Sequence, residues 1–206
     1  TIFSSPFDNT AVDLLEDLNT PAYKIASFEA VDIALIKYVA QTGKPMIIST
    51  GMANAEEIQE AIEAAEEGGC KELAILHCVS GYPAPARDYN LKTLVDMQQK
   101  FGLVTGLSDH TIDNTIAIAS VALGAAIIEK HVTLDRNDGG PDDSFSLESK
   151  ELLELCNGVK IAWKSLGKVD YGRKSSEKVN VKFRRSLYFV KDIQKGEVIT
   201  REHIKS

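Results

Sequence analysis

Two short segments, Ser108-Asp109-His110 and Glu129-Lys130-His131, each close an apolar run with a histidine. Side chains alternate along a strand, so Ser108 and His110 share one face of their run, and Glu129 and His131 share one face of theirs. If the two runs are neighbouring strands, about 4.8 Å apart, both imidazoles point into one mouth and can share a divalent metal ion or an anionic ligand. Two histidines leave most of a coordination sphere open, which suits a catalytic metal that must also take water or a substrate oxygen. Helix-capping or core histidines account for the same pair without any chemistry. His77 also closes an apolar run, but it is flanked by Leu76 and Cys78 and reads as a core histidine bonded to backbone.

A second group is suited to anions. Lys24 ends its run with Ser27 just beyond it, and Ser49-Thr50-Gly51 precedes a helical segment whose N-terminus can present free N–H groups. Together they make a cradle of the kind phosphates use. A snorkelling surface lysine is the plain alternative for Lys24. The stretch Asp135 to Ser146 is dense in Asp and Gly; its carboxylates can bind sugar hydroxyls, a second cation, or water alone. It lacks the ligand spacing of an EF-hand loop.

Positioning such groups requires strands whose C-terminal ends converge. Apolar, β-branched runs at Thr1–Ser4, Tyr23–Ala26, Pro45–Ser49, Leu73–His77, Leu103–Leu107 and Ala125–Lys130 alternate with helical periodicity. The helical segments are Asn9–Leu18, Asp32–Gln41, Ala55–Glu67, Leu91–Lys100, Asn114–Leu123 and Ser149–Leu166. This is the pattern of βαβ units on a parallel sheet. No strand is followed by GxGxxG, which removes the simplest dinucleotide-binding reading. Every strand instead ends in polar residues, as in an α/β chain of the TIM (β/α)8-barrel type. Eight units close such a barrel and six are present, so two βα units are expected ahead of Thr1. The opening at Thr1, with neither initiator Met nor signal sequence, carries the same expectation of a longer parent.

The barrel portion is read over 1–166, a polar linker over 167–182, and the start of another domain over 183–206, with a strand at Ser186–Val190 and a turn at Lys195-Gly196. With 206 residues, 44% of them hydrophobic, the chain can bury a substantial core. A net charge of -7 without a basic run argues against nucleic acid as partner. The longest nearly apolar stretch, Thr115 to Ile128, is too short to span a membrane. Three widely spaced cysteines, Cys70, Cys78 and Cys156, form no CxxC pair and fit a reducing cytoplasm.

Taken together, Phe3-Ser-Ser-Pro-Phe-Asp8, Tyr23-Lys-Ile-Ala-Ser27, Lys44-Pro-Met-Ile-Ile-Ser-Thr-Gly-Met52, Leu76-His-Cys-Val-Ser-Gly-Tyr-Pro-Ala-Pro85, Gly106-Leu-Ser-Asp-His-Thr111 and Ile128-Glu-Lys-His-Val-Thr133 resemble the strand-end signatures of the sialic acid synthase family. The tail from Arg184 resembles the start of the antifreeze-like (SAF) domain that follows the barrel there. The resemblance implies that His110 and His131 hold Mn2+ or Mg2+, which binds the aldehyde oxygen of an open-chain amino sugar. It implies that Ser5, Lys24, Ser27 and Ser49 cradle phosphoenolpyruvate, with Ser80 and Tyr82 nearby, and that Glu129 and Asp142 contact the sugar. C3 of phosphoenolpyruvate would attack the metal-polarised aldehyde, water would add at C2, and phosphate would leave by C–O cleavage.

Position 80 is Ser where sialic acid synthases tend to have Asn. The Asp138-Gly-Gly-Pro-Asp-Asp-Ser-Phe-Ser146 loop is similar to that of the pseudaminic acid branch, whose acceptor is a 2,4-diacetamido-2,4,6-trideoxy-hexose. N-acetylneuraminate synthesis from N-acetylmannosamine is the neighbouring alternative, a non-catalytic sugar-phosphate binding barrel is one of a different class, and a scaffold completed by a partner chain is a third. The family also takes a glutamate and a lysine from its first two strands, so the chain by itself is expected to be inactive. In the family the antifreeze-like domain caps the partner's active site, and a homodimer is expected of the parent.

Overall fold

The structure, a computed structural model, describes residues 2–206. It divides into two units, 1–167 and 168–206. In the first, β1 (Tyr23–Ile25), β2 (Met46–Ser49), β3 (Leu73–Cys78), β4 (Val104–Asp109) and β5 (Ile128–Lys130) pair in chain order as one parallel sheet. The helices α1 (Asn9–Asp17), α2 (Ile33–Ala40), α3 (Ala55–Glu67), α4 (Thr93–Phe101), α5 (Thr115–Ala122) and α6 (Ser149–Leu166) alternate with them. Parallel strands in unbroken sequence order, whose crossovers are as a rule right-handed, put the helices on one face and curve the sheet into a half-barrel.

Local chemistry sets the helix limits. Asp8 caps α1 by accepting from Ala11 N at 2.8 Å, and Asp32 caps α2 by accepting from Leu35 N at 3.0 Å. Asn54 and Glu57 close α3 in a capping box, and α4 stops at Gly102, whose φ of 67° is left-handed. Alternation along the strands then sorts the core. Tyr23, Ile25, Met46, Ile48 and Ile75 pack outward against Ile36, Val39, Ile62 and Ala65 of α2 and α3. A second cluster joins Leu107 to Tyr89, Ala117, Leu147 and Leu155. The residues between those outward positions face the concave side, where Gly106 lets strands approach closely. A Cβ there would lie 2.5 Å from the Ile127 carbonyl oxygen and 2.6 Å from Leu76 Cδ2.

Several elements differ from their sequence limits. Over the first strand candidate, Thr1 lies outside the described residues, and the pairing is a single parallel bridge from Ser4 to Tyr23. Pro6 lacks the N–H that would carry the ladder further. β3 and β4 run on through Cys78 and Asp109, because the polar residues that close each apolar run still pair with the next strand. β5 is regular only from Ile128, although Ala126 N already donates to Thr105 O at 2.9 Å.

In the second unit, Ser175–Phe183 forms a run of 3-10 turns that begins inside the stretch read as a polar linker and ends one residue past it. Of Ser186–Val190, only Tyr188–Phe189 (β6) is strand, paired antiparallel with Ile204–Lys205 (β7). No helix among the described residues is long and apolar enough to cross a membrane.

Candidate active site

The concave ends of the five strands surround a cavity of about 350 Å³ lined by Ser5, Lys24, Ser27, Ser49, Tyr82, Ser108, His110, Glu129, Lys130 and His131. Nine of the residues singled out from the sequence therefore meet in one place: Ser5, Lys24, Ser27, Ser49, Tyr82, Ser108, His110, Glu129 and His131. Asp142 lies beside them, with Oδ2 3.4 Å from His131 Nδ1. Ser80 does not line the cavity; it stands behind Gly51, where a Cβ would come 2.3 Å from its Oγ. His77 faces the opposite side of β3 from Cys78 and bonds Tyr89 O, as a core histidine does. A larger groove of about 660 Å³, between α5 and α6, is mainly apolar, lined by Ala125, Ile128, Leu155, Val159 and Trp163 among others. It lacks the convergent polar groups of the strand-end cavity.

The two imidazole rings are 5.3 Å apart between centroids. Nδ1 of His110 is 2.8 Å from Val79 O, and Nδ1 of His131 faces Asp142. Donation from Nδ1 to the Val79 carbonyl leaves Nε2 as the free lone pair of the His110 ring, while the Asp142 carboxylate stands close enough to His131 Nδ1 to favour a proton there. Among the described residues no three or more His, Cys, Asp or Glu side chains converge as a metal cluster. The pair nonetheless fits a divalent cation that takes its remaining ligands from water and substrate.

The two histidines differ electrostatically. Burial, reinforced by the neighbouring His110, holds His131 below the ordinary imidazole pKa, with Asp142 and Glu129 offsetting only part of this. Burial also opposes charge on His110, but the Cys78 thiol and the Val79 carbonyl outweigh it and raise its pKa. Burial pushes the Cys78 thiol up, while hydrogen bonds with His110 and Ser27 pull it further down, for a net lowering. Burial raises the Tyr82 phenol, so it remains a hydrogen-bond donor at neutral pH.

On the other side of the cavity lies the anion cradle. Lys24 Nζ is 3.5 Å from Glu129 Oε1, which also accepts from Ser108 Oγ at 2.7 Å. Ser49 Oγ is buried and has no hydrogen-bond partner among the described residues. An unpaired buried hydroxyl costs about 1–3 kcal/mol, so a ligand oxygen here would satisfy it. At the N-terminus of α3 the two amides of the second and third positions are already taken by the helix's own cap. Glu56 N and Glu57 N both donate to Asn54 Oδ1, at 2.9 and 3.0 Å, and Glu57 returns its carboxylate to Asn54 N. The residue that supplies the cap thus occupies the groups expected for an anion.

Three participants escaped the sequence reading. Cys78 lies under the site, 3.3 Å from Ser27 Oγ and 3.9 Å from His110 Nδ1. Its signal was the alternation that sends His77 outward and therefore Cys78 inward. Phe145 is buried against His131 and Tyr82, with ring centroids 5.2 and 5.6 Å away, and nothing in a loop composition of Asp and Gly marks it. Lys130 was hidden between two more conspicuous neighbours.

Residues 1–171 match the family model described as the NeuB family. The chain is 42% identical over 207 residues to the pseudaminic acid synthase of Helicobacter pylori, covering 100% of this chain and 61% of that protein. It is also 42% identical over 204 residues to the N,N'-diacetyllegionaminic acid synthase of Campylobacter jejuni, covering 98% and 61%. Among solved structures, the N-acetylneuraminic acid (sialic acid) synthetase of Leptospira borgpetersenii, in complex with citrate, superposes with a TM-score of 0.79 at 34% identity, over 87% of this chain and 63% of that one. The chain thus spans about three fifths of the length of the relatives it matches.

Proposed function

From the premise that this chain belongs to the NeuB family, we propose that it carries the core of a phosphoenolpyruvate-dependent nonulosonic acid synthase. The observation that supports this most directly is the buried Ser49 hydroxyl, unpartnered among the described residues, facing a cavity that holds Lys24 at one side and two histidines at the other. One side is made for an anion and the other for a cation or a carbonyl oxygen.

In this reading Lys24, Ser27, Ser49 and Ser5 bind the phosphate and carboxylate of phosphoenolpyruvate. Glu129, fixed by Ser108, and Asp142, beside His131, orient the hydroxyls of the amino sugar. Mn2+ or Mg2+ bound through His110 and His131 would supply Lewis acidity at the aldehyde oxygen. C3 of phosphoenolpyruvate forms the new C–C bond to the aldehyde carbon, water adds at C2, and the C2–O bond to phosphate breaks as C2 becomes a ketone. Tyr82 and Phe145 wall the His131 side and limit water there.

Overall identity is equal for the pseudaminic and legionaminic relatives, so it does not choose the acceptor. The Asp138–Ser146 loop supports the pseudaminic branch, with a 2,4-diacetamido-2,4,6-trideoxy-hexose as acceptor. N-acetylneuraminate synthesis from N-acetylmannosamine is the second reading, supported by the 34% identity to the Leptospira enzyme. We further read residues 1–166 as part of a TIM-type barrel, 167–182 as its connection, and 183–206 as the start of an antifreeze-like domain, in a cytoplasmic homodimer. Three free thiols, two of them buried, support a reducing compartment.

The test is phosphate release by the full-length protein with phosphoenolpyruvate and Mn2+, comparing 2,4-diacetamido-2,4,6-trideoxy-altrose with N-acetylmannosamine. Turnover with the first alone is expected. Turnover with the second alone moves the protein to the neuraminate branch, and turnover with neither overturns the catalytic reading.

A further inference from the structure

We propose that Asp109 and Lys130 are positioning residues that set the two site histidines at the spacing a shared cation needs, an inference that rests on reading His110 and His131 as its ligands. The strand register carries the argument. Ser108 faces Glu129 and Asp109 faces Lys130 across β4 and β5, and the next residue on each strand is a histidine. Successive side chains alternate, so Ser108 and Glu129 bond on the concave side while Asp109 and Lys130 bond on the other. The ion pair therefore lies directly behind the ligand pair.

Its geometry is that of a strap. The Asp109 and Lys130 side chains are 0% and 3% exposed, and Nζ is 2.9 Å from Asp109 Oδ2. The same ammonium donates to Thr111 O at 2.5 Å and to Asp113 O at 2.8 Å, with Thr111 Oγ1 at 3.3 Å. An ammonium has three donors, and these nearer acceptors take all three, so Lys130 has none left for a ligand. Asp109 Oδ1 accepts from Thr111 N at 2.8 Å, bending the chain just after His110. A lysine from β5 thus grips the turn that follows β4 on both sides of its histidine. The His110 backbone is tied from behind as well, its N–H donating to the buried Tyr89 hydroxyl at 2.6 Å.

Groups that orient metal ligands through such contacts typically change metal affinity by about 10–100-fold when removed. Removing one member of a buried pair leaves the other uncompensated and can unfold the protein, whereas removing both avoids this. Mn2+ is therefore titrated calorimetrically into the full-length protein, the double variant Asp109→Asn/Lys130→Met, Lys130→Arg and His110→Ala, with inorganic phosphate titrated separately and the fold followed by circular dichroism. Lys130→Arg keeps the charge but not the three-point grip, and serves where the double variant does not fold.

The expected result is an Mn2+ Kd raised about 10-fold or more in the folded double variant, by a smaller factor in Lys130→Arg, with phosphate affinity unchanged. Unchanged Mn2+ affinity in a folded variant overturns the inference, as does a parallel loss of Mn2+ and phosphate binding, which marks general loosening. If the unsubstituted protein and His110→Ala bind Mn2+ equally weakly, the cation reading itself fails and takes this one with it.

Discussion

Between β1, β2 and the helices α2 and α3, the buried layer is almost wholly apolar: Tyr23, Ile25, Ile36, Val39, Met46, Ile48, Ile62. Across the ends of β4 and β5 the buried residues are Ser108, Asp109, His110 and Thr111, and Lys130 lies folded over them. The first region gains from area removed from water, which tolerates small errors in geometry. The second gains only if every polar group finds its partner, and a half-satisfied network is worse than none. One half of the sheet can therefore hold the fold while the other holds a geometry.

Substitutions can separate these roles. Ile48→Ala should lower the unfolding free energy by about 2–5 kcal/mol in a denaturant titration, leaving Mn2+ affinity unchanged. A comparable loss of metal binding would show that the two regions are not independent. His131→Ala should do the reverse. Its ring is partly exposed, so the denaturation midpoint should hardly move, while phosphate release by the full-length protein falls on the order of 10²–10³-fold.

A smaller effect tests the cap of α3. Asn54→Ala should destabilise by about 1 kcal/mol in thermal or chemical melts, with phosphate affinity intact, because the helix N-terminus is turned to its own cap. Impaired phosphate binding would bring that terminus back into the cradle. The smallest effect is on pH. Burial lowers the His77 pKa, so the unfolded state binds more protons than the folded one just below pH 6.5. Stability should be full above that pH and decline as pH falls toward the lowered folded value. His77→Gln should flatten that part of the stability profile.

The elements that read most directly from the sequence are those with local instructions. α3 runs over Ala55–Glu67 as expected because Asn54 caps it and Gly68-Gly69 follows. The periodic segment Ser149–Leu166 is likewise α6. Strand ends were harder to place, since Cys78 and Asp109 belong to the ladder through pairing with a neighbour that no local pattern reveals. The site shows the same division. Histidines closing consecutive strands had to converge once the strands paired in order. Ser80 standing behind Gly51, Phe145 folding back from its loop onto His131, and Lys130 curling around Asp113 all depend on how loops close in space.

Gly106 gives the concave face a dimension that no side chain sets. A methyl group there would press on the Ile127 carbonyl, a backbone atom of the next strand's approach that no rotamer change can move aside. The missing carbon therefore works as a gauge between β4 and β5. A variant with Ala at this position would have to part the two strands, and the widening would reach His110 and His131 without altering either. Attempts to re-engineer this site by changing only the residues that line it will inherit a spacing fixed two residues below Ser108.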